Sequence, residues 1–302
     1  MRVISTSPSS TEILYALGIE PVAVSHSCDY PPAATDLPTI DVSKVDAEES
    51  AERHEQVRSA TADGHLYEME TATIDAVEPD LIITQGVCGV CAVDEILVDE
   101  TLTDLQSDPD VLALQASTLE DVFDCIRDVG AATGADTEAT ELVGSLRERI
   151  ETVNRRLPDE SRPRTAVLEW LDPLRQAGRW VPDVVEAAGG EYGIIASGED
   201  SVPIDWGRLL ALDPAVIVVA PCGFNLERTH RQLYELTEHQ EWHELQAVKE
   251  ERVYALDGSA YLTRWTPRLV DAVEHLAAVF HPETFGKPTE SAGVQQLPTT
   301  AE

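Results

Sequence analysis

Cys88 and Cys91 close the run Cys88-Gly89-Val90-Cys91, a spacing that lets two thiolates reach one metal ion. The same pair could serve as a dithiol redox couple, or as two small buried hydrophobes. Cys28 and Cys222 also stand just beyond short apolar runs, and four thiols have the chemistry of a tetrahedral zinc site or an iron–sulfur cluster. His26 lies two residues before Cys28, and along a strand that spacing puts both side chains on one face. Its imidazole could ligate zinc, iron or the cobalt of a corrin; the plain alternative is a loop histidine bonded to nearby backbone. Cys125 sits inside an amphipathic stretch and reads as core, while His54 and His65 flank an acidic, loop-like region and read as surface residues.

Aromatic residues supply a second kind of chemistry. Tyr30, Trp170, Trp180, Tyr192, Phe224, Tyr261 and Trp265 fall at or beyond the ends of expected elements, where flat rings can pack on a large planar ligand. Trp170 follows Glu169 at the end of an expected strand, the most favourable position. Each ring taken alone could equally be structural; together they favour a bulky ligand over a bare ion. Arg175, Arg179 and Arg264 could select an anionic group, although Arg175 has many carboxylates to pair with. No GxSxG elbow, Walker loop or GxGxxG motif occurs, so the chain reads as non-enzymatic.

Short apolar runs alternating with helical patterns must position these residues. Strands are expected at 3–5, 22–25, 81–84 and 111–115, with helices at 10–17, ending at Gly18, and at 119–130. A long charged helix spans 138–157 and stops at Pro158. The pattern then restarts, with strands at 165–169, 215–220 and 253–256, and helices at 182–188, 206–212 and 267–280. Alternation of this kind implies parallel sheets, whose ligands gather beyond the carboxyl ends of the strands. The expected fold is α/β, with two parallel-sheet lobes joined by a long interlobe helix. Its divisions are a lobe over 1–135, the helix over 136–158, a second lobe over 159–281 and a disordered tail over 282–302 rich in Pro, Thr, Gln and Glu.

Composition narrows the surroundings. Fifty-six Asp and Glu against 21 Lys and Arg leave a formal charge of −35, while the hydrophobic share of 43% is ordinary for a globular chain. Acidic residues spread along the whole chain read as a halophilic surface, on which molar cations screen self-repulsion. No basic stripe is present to neutralise phosphates, which excludes nucleic acid as a partner. No run approaches a membrane span, and no apolar stretch of signal-peptide length precedes Val3. The location expected on these grounds is cytoplasmic, where reducing conditions favour free thiols or metal ligands over disulfides.

Several stretches carry a family resemblance: Ser7-Pro8-Ser9-Ser10-Thr11-Glu12, His26-Ser27-Cys28-Asp29-Tyr30-Pro31, Pro79-Asp80-Leu81-Ile82-Ile83-Thr84-Gln85 leading into Cys88 to Cys91, and Tyr261-Leu262-Thr263-Arg264. Over roughly residues 1–280 the chain resembles the helix-linked, class III periplasmic-binding-protein-like and chelatase-like substrate-binding proteins of iron-siderophore and cobalamin importers. The cysteine-bearing loops make it similar to a cytoplasmic cobalamin-binding branch of them. The resemblance implies a ligand held between lobes and, for an exported member, an ABC permease as partner. The reading that combines these signals is a binding protein for cobalamin, a related corrinoid or an iron chelate. Cys28, Cys88, Cys91, Cys222 and His26 would be metal ligands, with Tyr30, Glu169, Trp170, Trp180, Tyr261 and Arg264 around the organic part. The alternatives are a zinc or iron–sulfur metalloprotein with a sensing, storage or redox role, and the substrate-binding component of a cobalamin or iron ABC importer.

Overall fold

The computed structural model describes residues 1–62, 64–86, 92–158, 162–288 and 293–299. They fall into two compact units, one comprising Met1–Ala116 and Glu120–Gly144, the other Ser117–Leu119 and Ser145–Glu302.

The first unit runs β1 (Val3–Ser5), α1 (Pro8–Ala16), β2 (Ala23–Val24), β3 (Asp41–Ser43), α2 (Ser50–Ala62), β4 (Tyr67–Met69), α3 (Thr71–Ala76), β5 (Leu81–Gln85), α4 (Glu95–Leu102), β6 (Asp110–Leu114) and α5 (Leu119–Thr133). The helix α6 (Asp136–Arg156) follows, its residues divided between the units at Gly144 and Ser145. Strands β2-β1-β5-β6 form one sheet, parallel throughout. A strand covered on both faces needs apolar residues at successive positions, and Leu81, Ile82 and Ile83 of β5 are all buried. Ile4, Ala23, Ile40, Ile74, Ile82, Val93 and Val98 close one side of this core.

Local sequence sets the helix boundaries. Ser7 caps α1 by accepting the Ser10 N–H at 3.2 Å, Pro8 occupies the first turn, and Gly18 leaves the helix at φ +76°. In α5 the buried Val122, Phe123, Ile126 and Val129 recur at helical spacing. The acidic region flanked by His54 and His65 is not a loop. It holds most of α2, polar on all sides, and lies between the two strands of the antiparallel ribbon β3–β4.

The second unit continues with β7 (Thr165–Leu171), β8 (Leu174–Gln176), α7 (Val181–Ala187), β9 (Val202–Pro203), α8 (Trp206–Leu212), β10 (Val216–Val219), α9 (Leu226–Arg231), α10 (Tyr234–Thr237), α11 (Gln246–Lys249), β11 (Val253–Leu256), α12 (Leu269–Phe280), α13 (Pro282–Phe285) and β12 (Val294–Gln296). Its sheet has the order β12-β11-β10-β7-β8-β9, with β7, β10 and β11 parallel and antiparallel strands added on both sides. Residues 282–302, expected to be disordered from composition, contain α13 and the edge strand β12. Val294 and Leu297 are buried there, apolar anchors that the polar average of the segment conceals.

Inside this unit Arg149 of α6 forms a forked ion pair with α12. Its Nε donates to Glu274 Oε1 at 2.9 Å, and its Nη2 donates to Glu274 Oε2 at 2.6 Å and Asp271 Oδ1 at 2.5 Å. These contacts raise the Arg149 pKa above its ordinary value. All three groups keep about a third of their exposure, so water weakens the pairing. We expect Arg149→Met to cost about 1–2 kcal/mol in urea unfolding, mostly because Asp271 and Glu274 are left as a like-charged pair one turn apart. A loss matching Glu274→Gln alone, with no extra cost in the double variant, would locate that energy in the one bidentate contact.

Candidate functional site

Because β1, β2, β5 and β6 are parallel, their carboxyl ends share one edge of the first sheet. The loop after β2 carries His26, Cys28 and Tyr30. It opens with a turn closed by the Cys28 N–H on the Ser25 carbonyl at 3.0 Å. The expectation that His26 and Cys28 share a face assumed strand geometry, which ends at Val24; across the turn the two side chains part. Cys28 is 4% exposed, and its sulfur accepts the Thr11 hydroxyl at 3.1 Å. The His26 side chain keeps 34% of its exposure, and Tyr30 is 45% exposed.

Beneath His26 lies Asp41, the first residue of β3, with a side chain that is fully buried. It accepts the His26 backbone N–H at 2.8 Å, the Ser25 hydroxyl at 3.0 Å and His26 Nδ1 at 2.9 Å. The Tyr67 ring stands 5.7 Å from the imidazole. Nothing local in the sequence distinguishes Asp41 from the other acidic residues; only recognising β3 beside β2 would have found it.

The second unit presents its candidates at the end of β7 and on the loops after β10 and β11. Glu169 and Trp170 lie just before the end of β7 at Leu171. The Cys222 N–H donates to the Glu169 carbonyl at 3.0 Å, so Cys222 is brought beside them. Trp170 is half-buried, donates its indole N–H to the Asp172 carbonyl at 3.1 Å and meets Phe224 edge-on at 5.6 Å. Glu169 faces Arg175 Nε at 3.7 Å, and Arg175 also donates to the Ser201 carbonyl at 2.7 Å, in line with a structural role for that arginine. Arg179 pairs with Asp200 at 2.8 Å. Tyr261 is half-buried with its ring edge-on to His275 at 5.2 Å, where burial holds the His275 imidazole below its usual pKa. Arg264 is half-buried, one turn beyond Tyr261.

Four of the rings expected at a ligand are core residues. Trp180 is 6% exposed and donates its indole N–H to the Leu262 carbonyl at 2.8 Å, while Phe224 and Trp265 are also buried. Tyr192 is buried and donates to the Ala177 carbonyl; burial pushes its phenol well above the usual pKa. The end of a strand fixes where an aromatic residue sits in the chain, and the packing of the next helix decides whether its ring turns inward.

Of the four thiols, Cys28 belongs to the first unit and Cys222 to the second, while Cys88 and Cys91 lie outside the described residues. No group of three or more His, Cys, Asp or Glu side chains able to hold a metal occurs among the described residues. No described helix is long and apolar enough to cross a membrane.

Comparison with known proteins adds to this geometry. The sequence profile of the family described as periplasmic binding protein matches residues 3–260. An ABC transporter substrate-binding lipoprotein of Bacillus subtilis is 24% identical over 294 residues, covering 94% of this chain and 81% of that protein. The vitamin B12-binding protein of Salmonella typhimurium is 27% identical over 221 residues, 72% of each chain. The crystal structure of a periplasmic heme-binding protein from Pseudomonas aeruginosa superposes with a TM-score of 0.74 at 18% identity, covering 100% of this chain and 99% of that one. The fold is therefore the helix-linked binding-protein fold. The cytoplasmic location expected from the amino terminus is overturned: the relatives are periplasmic or lipoprotein substrate-binding proteins, which points to an extracytoplasmic place. The argument that a reducing cytoplasm keeps the thiols free falls with it.

Proposed function

From its membership of the periplasmic binding protein family, to which this chain belongs, we propose that it binds a corrinoid or closely related metal macrocycle and delivers it to an ABC permease. It is a substrate-binding protein of the vitamin B12, heme and iron-siderophore type, and not an enzyme. The observation that carries the choice of ligand is the relation to a vitamin B12-binding protein over 72% of the chain. Side-chain chemistry supports it. Tyr30 in the first unit, and Trp170 and Tyr261 in the second, offer partly open rings at or beyond strand ends. His26 adds an imidazole, and Cys222 and Arg264 add a soft donor and a cation beside those rings.

The test is a spectroscopic titration with aquocobalamin and, separately, hemin, in molar KCl so that the charge of −35 is screened. We expect a saturable shift of the corrin bands, and Trp170→Ala and Tyr261→Ala each to weaken binding about tenfold through lost ring contact. A response to hemin and none to aquocobalamin would make the ligand a porphyrin and remove the corrinoid reading. Cys222→Ser with unchanged affinity would remove that thiol from the binding surface.

A further inference from the structure

We propose that His26, held as an Nε2 donor by the buried Asp41, coordinates the metal of the bound macrocycle, so that the protein selects complexes with an exchangeable axial position. This rests on the corrinoid-type reading above and names the ligand class more narrowly.

The argument starts from Asp41. A carboxylate at 0% side-chain exposure is costly unless its lone pairs are satisfied, and three donors from one turn converge on it: the His26 backbone N–H, His26 Nδ1 and the Ser25 hydroxyl. An ionised carboxylate only accepts, so the proton of a neutral His26 ring sits on Nδ1 and the lone pair sits on Nε2. No hydrogen bond to Nε2 occurs among the described residues. The backbone stiffens this arrangement: the Ile40 N–H donates to the Val24 carbonyl at 3.1 Å, and Val24 pairs with Thr39, which ties the approach to β3 to the end of β2. Tyr67 at 5.7 Å limits the ring on one side.

A histidine anchored through one nitrogen to a buried carboxylate, with the other nitrogen open, is the arrangement that orients metal-bound imidazoles and raises their basicity. Cys28, the other soft donor on this loop, is turned inward onto Thr11 and is not positioned to compete. The step is a ligand exchange: the Nε2 lone pair forms a bond to the metal as its bond to an axial water breaks, water leaves, and neither the oxidation state nor the proton count changes. A metal whose axial positions are both blocked by strong ligands gains nothing from His26.

The probe is cobinamide, a corrinoid without a base of its own. With the aquo form, wild type is expected to bind 10–100-fold more tightly than His26→Ala, and Asp41→Asn to fall between them because the ring loses its anchor. Dicyanocobinamide is expected to bind wild type and His26→Ala equally. After anaerobic reduction to cobalt(II), one axial nitrogen splits each cobalt line of the electron paramagnetic resonance spectrum into a triplet. Protein grown on 15N-histidine should turn that triplet into a doublet, a signature that a merely structural His26–Asp41 contact does not produce. This labelling uses the unmodified chain, so it stands even if Asp41→Asn folds poorly. Cobinamide bound without nitrogen splitting, or bound equally by His26→Ala, overturns the coordination and leaves the corrinoid reading intact. Failure of every corrinoid to bind overturns both.

Discussion

Gly258→Ala is expected to be among the most damaging single-methyl substitutions in the second unit, costing about 3 kcal/mol or more. Gly258 is buried in the turn after β11, packed against the backbone that leaves β10. A Cβ there would fall inside the van der Waals radius of the Pro221 carbonyl oxygen and only 3.0 Å from the carbonyl carbons of Ala220 and Pro221. The obstacle is main chain, which cannot swing away as a side chain does. Pro221 is moreover held in place, because its carbonyl accepts the Phe224 N–H at 3.0 Å and the Cys222 N–H is bound to Glu169. Relief therefore requires the loops after β10 and β11 to separate, and these carry Cys222 and Tyr261. The midpoint of thermal unfolding should fall by roughly 6–12 °C at 2–4 °C per kcal/mol. Gly223→Ala is the control: at φ +74° it meets nothing within 4 Å, so it should cost only the backbone strain, about 1 kcal/mol. Equal losses in the two variants would show that the loops yield freely and that the close approach is unimportant.

The contrast between these glycines also shows what a sequence conceals. Gly223 follows Pro221-Cys222 and reads as a turn signal, whereas nothing in Asp257-Gly258-Ser259 says that another main chain runs against it. Secondary structure was most legible where local and tertiary demands agree. The strands Val3–Ser5 and Val253–Leu256 and the helix Trp206–Leu212 have the bounds expected from their residue patterns, and at that helix the Asp205 side chain caps the start by accepting the Arg208 N–H. It was least legible between β2 and β5. There α2 has no apolar stripe, and β3 and β4 pair antiparallel in three-residue segments too short to show a period.

The site followed the same division. Which loops could carry it was readable, because parallel strands send their carboxyl ends to one edge. Which side chains on those loops stay available was not. His26 and Cys28 seemed equivalent under a strand rule that the turn at Ser25 cancels, and Trp180 and Phe224 went to the core. Asp41 was hidden among 56 acidic residues, most of them serving the surface. The cytoplasmic location was expected from the amino terminus, and there the comparison with lipoprotein and periplasmic relatives corrected the reading.

Cys125 offers an experiment in which the sign of a stability difference reverses with pH. On α5 its thiol is buried and donates to the Gln115 carbonyl at 3.4 Å. Burial, reinforced by the nearby Asp128 charge, pushes its pKa up to about 12 from the ordinary 9.0. Below pH 9 the thiol is protonated in folded and unfolded chains alike, and its contribution to stability is fully present. Above pH 9 the unfolded chain releases the proton while the folded chain retains it, so stability falls as pH rises and the loss is complete near pH 12. By pH 11 the term amounts to roughly 2.5 kcal/mol. Cys125→Ala lacks it, and at pH 8 should be less stable than wild type by about 1 kcal/mol, for the lost sulfur contacts and the weak hydrogen bond. At pH 11 the order should invert, with the variant more stable by about 1.5 kcal/mol. Other groups that titrate in this range, Tyr192 among them, are common to both proteins and cancel in the difference. Urea unfolding of the pair at pH 8 and pH 11 reads the crossing directly, and a gap that stays constant would mean that Cys125 ionises as easily inside the fold as outside it.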